Sequence, residues 1–283
     1  MSLAAIAFYL QNSVLLIVIL FLMGTQSALF GPVKYSLLPQ ALDSKELVGG
    51  NAMVEFGTFL AILMGLIASV FIISFSTHLL SIAIVIFAII GYWASRSIPL
   101  LAAAAPELKI SFNIISQTRN IMCDARQNRT VFYSIMGISW FWFIGITYVT
   151  QLPNYVRYEL EGNEQVYILL LAMFSIGIGA GSFLCERLSG RIVELGLVPM
   201  GALGLTVFGA DIYFVQSVVA GTPLIDNALI NSALISPMTF ITSGNSLRVM
   251  FDIVMLGTSG GIYIVPLYAL VQQRSDEKNV QKS

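Results

Sequence analysis

Polar positions along this chain are few and clustered. The intervals between the clusters are long enough to cross a bilayer. A hydrocarbon core about 30 Å thick takes roughly 20 apolar residues of helix. Seven stretches reach that length. They run over about 13–38 (with apolar lead-in from residue 3), 51–73, 77–95, 131–152, 166–185, 195–217 and 251–271. None alternates polar with apolar as a half-buried strand does. In lipid each backbone group needs a partner within its own segment, so all seven are predicted to be helices. The stretch 218–250 carries Pro223, Asp226, Pro237, Asn245 and Arg248 among apolar residues. It is predicted to be an external loop, and whether it enters the membrane is left open. The fold class is therefore all-α, a polytopic transmembrane helical bundle.

Composition agrees with the pattern. Of the 283 residues 57% are hydrophobic and 10% charged, against about 25% charged in soluble domains. A net charge of -1 and the lack of a basic patch give no reason to expect nucleic acid as a partner. Membrane lipid is the partner that the composition implies. The basic residues also orient the spans. With the loop 96–130 placed in the cytoplasm, Arg96, Lys109, Arg119, Arg126 and Arg129 lie inside. Alternation of the spans then brings Lys34, Lys45, Arg187, Arg191, Arg274, Lys278 and Lys282 to the same side. Twelve of the 14 basic residues share that side, and only Arg157 and Arg248 fall outside. The expected N-terminus is outside and the C-terminus cytoplasmic. Cys123 and Cys185 then lie toward the cytoplasm and are expected to be reduced.

Little in the chain suggests catalysis. His78 is the single histidine, and residue 83 is alanine where a glycerolipid acyltransferase needs aspartate. No catalytic residue, metal site or cofactor is expected. Gly177, Gly179 and Gly181 lie inside an apolar run with no strand before them, so they are not a dinucleotide loop. The spacing of Gly177 and Gly181 instead suits close helix packing, as does that of Gly57, Ala61 and Gly65. The aromatic run 140–143 reads as lipid-facing or packing surface. The loop holding Glu186, Arg187, Gly190 and Arg191 can pair with helix ends and neighbouring charges. Such pairs would lock one end of the bundle in one state and release it in another, whereas simple anchoring would leave no such role. Lys34 and Glu55 are a candidate interhelix pair. Gln26 and Gln151 are candidate substrate contacts. Asp211 lies in the outer half of its span.

Several stretches together resemble a known family. They are 24–40 (GTQSALFGPVKYSLLPQ), 46–55 (ELVGGNAMVE), 126–132 (RQNRTVF), 139–143 (SWFWF), 151–155 (QLPNY), 185–191 (CERLSGR) and 260–274 (GGIYIVPLYALVQQR). They are similar to the bacterial lysophospholipid transporters of the major facilitator superfamily, and in particular to those fused to an acyltransferase and an acyl-ACP synthetase. The resemblance implies a partial major facilitator fold in which the seven spans are family spans four to ten. Residues 1–95 would be the remainder of the amino-terminal half, 96–130 the cytoplasmic central loop, and 131–283 part of the carboxy-terminal half. It implies an incomplete chain, truncated at both ends, with residues 1–12 as a remnant of an earlier span. Glu186, Arg187, Gly190 and Arg191 take the place of the second copy of the superfamily's cytoplasmic motif, with one extra residue before the acid. That favours the gate over anchoring.

The resemblance further implies a transporter and not an enzyme. It would move lysophospholipid across the bacterial inner membrane by alternating access, with the acyltransferase and synthetase as candidate partners. Two other expectations remain open from the residues alone: transport of another small molecule on the same fold, or a membrane anchor for an acyltransferase that transports nothing itself.

Overall fold

The computed structural model describes residues 2–75, 77–98, 113–190, 192–219, 234–242 and 244–280. Within them the chain is almost wholly helical. In order the helices are α1 (Ser2–Tyr9), α2 (Ser13–Ala41), α3 (Leu47–Phe75), α4 (Thr77–Ser95), α5 (Ile114–Gln127), α6 (Arg129–Tyr158), α7 (Glu164–Leu188), α8 (Leu197–Val219), α9 (Pro237–Thr242) and α10 (Gly244–Val280). Seven of them are long and apolar enough to cross a membrane: α2, α3, α4, α6, α7, α8 and α10. The β structure among the described residues is one isolated bridge, Gly162 with Ile235. The chain is thus a helical transmembrane bundle, as the run lengths predict.

Two compact units divide it. The first holds residues 1–41 and 64–112, the second 42–63 and 113–283. In the first, α1 packs on α4 and α2 through Ala4 and Ala7, with Ile19 and Ile84 beside them. The ring of Tyr9 meets that of His78 at 5.1 Å. The apolar lead-in is therefore a helix of its own, set apart from α2 by Gln11, which has a φ of 50°.

In the second unit α10 is the central rod. Most of its apolar span is buried, and α7, α8 and α6 pack around it. A helix apolar all round belongs inside such a bundle. Contact with α7 runs backbone to backbone through glycines on both helices. Gly177 and Gly181 of α7 face Val254 and Thr258, while Gly257 and Gly261 of α10 face Phe174 and Ile178. A Cβ added to Gly261 would lie 2.5 Å from the Ile178 carbonyl oxygen, so only glycine fits this seam. The spacing at Gly177 and Gly181 predicts such an approach. The same spacing at Gly57 and Gly65 does not produce one, since a Cβ at either meets nothing within 4 Å among the described residues. On α3 the buried positions are Leu47, Val48, Asn51, Ala52, Glu55, Phe59 and Leu63. At about 100° per residue, Gly57 points away from that face.

The region 218–250 differs from its expected loop in part. Residues 220–233, with Pro223 and Asp226, lie outside the described residues. The rest contains the short helix α9 and the first turns of α10. The last apolar span runs from Ser246 to Arg274, so Arg248 lies within it. The physical reason is a carboxylate on α8, described below. The region expected as a central loop contains α5, a helix capped by the Asn113 side chain, which accepts from the Ser116 N–H at 3.0 Å. Residues 99–112 lie outside the described residues.

Candidate functional site

The second unit has polar groups toward both ends of α10 and an apolar cavity between them. At the α7 C-terminus, the motif residues begin where the helix stops. Ser189 closes it with an N–H donated to the Cys185 carbonyl at 2.9 Å, and Gly190 follows with a φ of +58°. That left-handed conformation costs an L residue other than glycine roughly 1–2 kcal/mol, which gives the motif glycine its place. Glu186 is half-buried, and its carboxylate lies against the first turn of α3. A Cβ at Gly49 would sit 2.9 Å from Glu186 Oε1. The first N–H groups of a helix lack partners within it and favour an anion nearby. Of the pairings open to this loop, the geometry thus displays acid against helix end. Arg187 is exposed on the last turn of α7. Arg191 lies outside the described residues.

Beside this contact lies an amide pair between α3 and α10. Asn51 Nδ2 donates to Gln272 Oε1 at 2.6 Å, and Gln272 Nε2 donates back to Asn51 Oδ1 at 3.1 Å. Both side chains are buried. Glu55, one turn along α3 from Asn51, is fully buried as well. Lys34 belongs to the first unit, where its ammonium lies 4.7 Å from the centre of the Tyr35 ring.

The cavity has a volume of about 510 Å³ and is lined from α3, α6, α7, α8 and α10. Aromatic rings dominate its wall. Phe59 stacks on Trp142 at 6.2 Å and meets Phe174 edge-on at 5.8 Å, and Phe141 stacks on Tyr263 at 6.1 Å. The Trp142 N–H donates to the Tyr268 hydroxyl at 2.8 Å, so this indole presents an apolar surface to the space. Such a volume is in the range of small-molecule sites, about 300–1,000 Å³. The lining suits a hydrocarbon chain better than a polar solute. The aromatic run 140–143 is therefore split: Trp140 is largely exposed while Phe141 is buried, and both touch the cavity. Gln151 accepts from Asn154 at 3.2 Å and is not among the lining residues, and Gln26 is exposed on α2.

Beyond the other end of the cavity, Arg248 holds Asp211 with two bonds, Nε to Oδ2 at 2.9 Å and Nη2 to Oδ1. This fork explains how an arginine enters the last span. Sequence reasoning placed Arg248 in a loop and did not single out Asn51, Gln272 or Asp252. A polar residue every few turns near a span end is an ordinary anchoring pattern, and the partners are far apart in the chain.

These features define a polytopic helical membrane protein whose second unit combines an apolar cavity with polar contacts beyond it. Its sequence is similar to proteins described as lysophospholipid transporter LplT. The likeness to the protein of Escherichia coli O1:K1 / APEC is 28% over 261 residues, covering 89% of this chain and 57% of that protein. For Escherichia coli O7:K1 (strain IAI39 / ExPEC) it is 28% over 259 residues, with the same coverage. For Shigella boydii serotype 4 (strain Sb227) it is 27% over 265 residues, again with the same coverage. The chain thus spans little more than half the length of these relatives. No family model and no solved structure matches it.

Proposed function

We propose that this chain is a membrane-spanning part of a major facilitator transporter that moves lysophospholipid across a bacterial inner membrane by alternating access. The observation that carries the reading is the similarity, over 89% of the chain, to proteins named as lysophospholipid transporters. The cavity supports it chemically. A lysophospholipid has one acyl chain and one polar headgroup, and the aromatic wall of Phe59, Phe141, Trp142 and Tyr263 suits the acyl chain. Gln26 and Gln151 are each proposed as substrate contacts outside the cavity lining.

In this reading residues 1–95 and 131–283 belong to the two transporter halves, and 96–130 joins them in the cytoplasm. The N-terminus is outside and the C-terminus inside, following the basic residues. The proposed cytoplasmic gate is Glu186 against the first turn of α3, together with Arg187, Gly190 and Arg191 of the same sequence motif, Gly190 setting the turn. Lys34 and Glu55 are the further gate candidates from residues 1–95. Opening to the cytoplasm withdraws Glu186 from α3, so the contact biases the equilibrium toward the closed state. An acyltransferase and an acyl-ACP synthetase are the proposed consumers of the delivered lipid.

A graft tests this reading. Residues 1–283 replace the stretch they match in a full-length lysophospholipid transporter, and spheroplasts of a host lacking its own transporter are given labelled lysophosphatidylethanolamine. The expected result is saturable uptake that Glu186→Ala reduces without reducing the amount inserted. A well-inserted graft with uptake no greater than that of empty spheroplasts contradicts the proposal.

A further inference from the structure

Around Arg248 a third ionisable group is present that the Arg248–Asp211 pair leaves unmatched. Asp252 follows Arg248 by one helical turn on α10. It is only 2% exposed, and its Oδ2 has no hydrogen-bond partner among the described residues. Its carboxyl lies within hydrogen-bonding reach of the Asp211 carboxyl on α8. Arg248 already uses Nε and Nη2 on Asp211. From α6 the neighbouring titratable group is Tyr155, whose hydroxyl points to the Ile212 carbonyl at a long 3.5 Å, with Glu159 one turn beyond. From α7 the surrounding residues are Leu170, Met173, Phe174 and the phenol of Tyr167, and α9 adds Phe240.

The inventory is short by one positive charge and one donor. Two carboxylates face one guanidinium, and a buried oxygen with no donor is left over. An uncompensated buried charge is expensive. Whatever completes the group binds a buried oxygen of Asp252 beside two partly exposed side chains. A metal cation needs several oxygen ligands, and among the described residues no group of three or more His, Cys, Asp or Glu could hold one. A proton needs only the two carboxyls. Bound to Asp252, it turns an orphaned acceptor into a donor aimed at Asp211, while Arg248 holds Asp211 in place as the acceptor.

We propose that Asp211 and Asp252 form a proton-binding site, one proton shared between their carboxyls beside Arg248, which links the pH at this end of the bundle to opening of the cavity. Position gives the link. Asp252 heads the stripe of α10 that continues through Leu256, Gly260 and Tyr263, three residues that line the cavity. Ala210, next to Asp211, lines it from α8. When the O–H bond of Asp252 breaks, the proton leaves to water past Asp211 and Arg248, whose side chains are 28% and 57% exposed. No electron changes hands. Two negative carboxylates then share one guanidinium, and their repulsion drives α8 and α10 apart where their packing closes the cavity.

Two measurements on the chain in lipid nanodiscs test the site. Infrared spectra are recorded across a pH titration for the parent protein, Asp252→Asn and Asp211→Asn. Asn at 252 has the shape of the protonated acid and can donate to Asp211, so this variant keeps the fold. The parent should show a buried carboxylic-acid carbonyl band that is lost on alkalinisation and absent from Asp252→Asn. Asp211→Asn removes the competing carboxylate, so its band should be lost at a lower pH than in the parent. Separately, with Cys123→Ser and Cys185→Ala as background, Leu256→Cys reports opening through its maleimide labelling rate. The ratio of the parent rate to the Asp252→Asn rate cancels the titration of the thiol itself. That ratio should rise with pH by about tenfold or more, matching about 1.4 kcal/mol of state bias. A band unchanged in Asp252→Asn, or a ratio flat with pH, overturns the proposal. Loss of the band on adding sodium at constant pH also overturns it, in favour of a cation site.

Discussion

Asn51 and Gln272 exchange both of their amide hydrogen bonds although 221 positions separate them. Replacing one with leucine leaves the other amide buried without its partner, whereas replacing both removes the demand. Interhelical polar bonds in membranes average about 0.6 kcal/mol, with the largest near 1.7. This pair is reciprocal and buried, so Asn51→Leu is expected to destabilise the chain by about 1–2 kcal/mol. Gln272→Leu added to it should cost little more. A double-mutant cycle of unfolding in mixed detergent measures the coupling, and additive losses would show that the pair is not a unit. Single residues of this kind were only half legible beforehand. Glu55 and Lys34 stood out because charge is rare in an apolar run. Asn51 and Gln272 did not, because each alone is an ordinary polar residue near a span end. Asp252 was hidden for another reason: it lies at the edge of a hydropathy window where interfacial charge is expected.

Among the helices, the seam between α7 and α10 decides the packing of the second unit. Gly181 and Gly261 have opposing backbone where a side chain would begin. Overpacking costs typically about 1–3 kcal/mol, and here the obstacle is main chain, which cannot rotate away. Gly181→Ala and Gly261→Ala are therefore expected to lose at least that much stability, read as a lower thermal midpoint in detergent. Gly57→Ala, on the open face of α3, should stay within about 0.5 kcal/mol of the parent. Equal losses at the three positions would refute this account of the seam. Spacing alone marked both the α3 and the α7 glycines. What separates them is the helix face, which depends on where Ala52, Glu55 and Phe59 are buried. The start of α10 shows the converse. Arg248 ended the apolar run as read from sequence, yet the helix continues through it because Asp211 accepts its guanidinium. Number and type of the long helices were legible from hydropathy, while their ends were not, since α6 and α10 run well past the expected 131–152 and 251–271. The aromatic cavity was not, because the run 140–143 supplies one wall and distant residues such as Phe59, Phe174 and Tyr263 supply the others.

For the molecule as a whole, orientation has a built-in test. Cys123 is exposed on α5 and Cys185 is buried beside Glu186. In the proposed orientation α5 is cytoplasmic, so in intact cells Cys123 should react with a permeant maleimide and resist an impermeant one. Cys185 should react only after denaturation. Labelling of Cys123 from outside would invert the topology and move the gate to the opposite face.

The central claim, that a lysophospholipid occupies the aromatic cavity, can be read from one tryptophan. Trp93, Trp140 and Trp142 are the three in the chain, and Trp142 lines the cavity. A variant with Trp93→Phe and Trp140→Phe leaves Trp142 as the reporter. In nanodiscs, a lysophospholipid brominated on its acyl chain should quench this fluorescence saturably, and unlabelled lysophospholipid should restore it. A brominated diacyl phospholipid at equal bromine content should quench weakly and without competition. Equal, non-saturable quenching by both lipids would mean that Trp142 meets bulk lipid only, and would contradict the assignment of the cavity to the acyl chain.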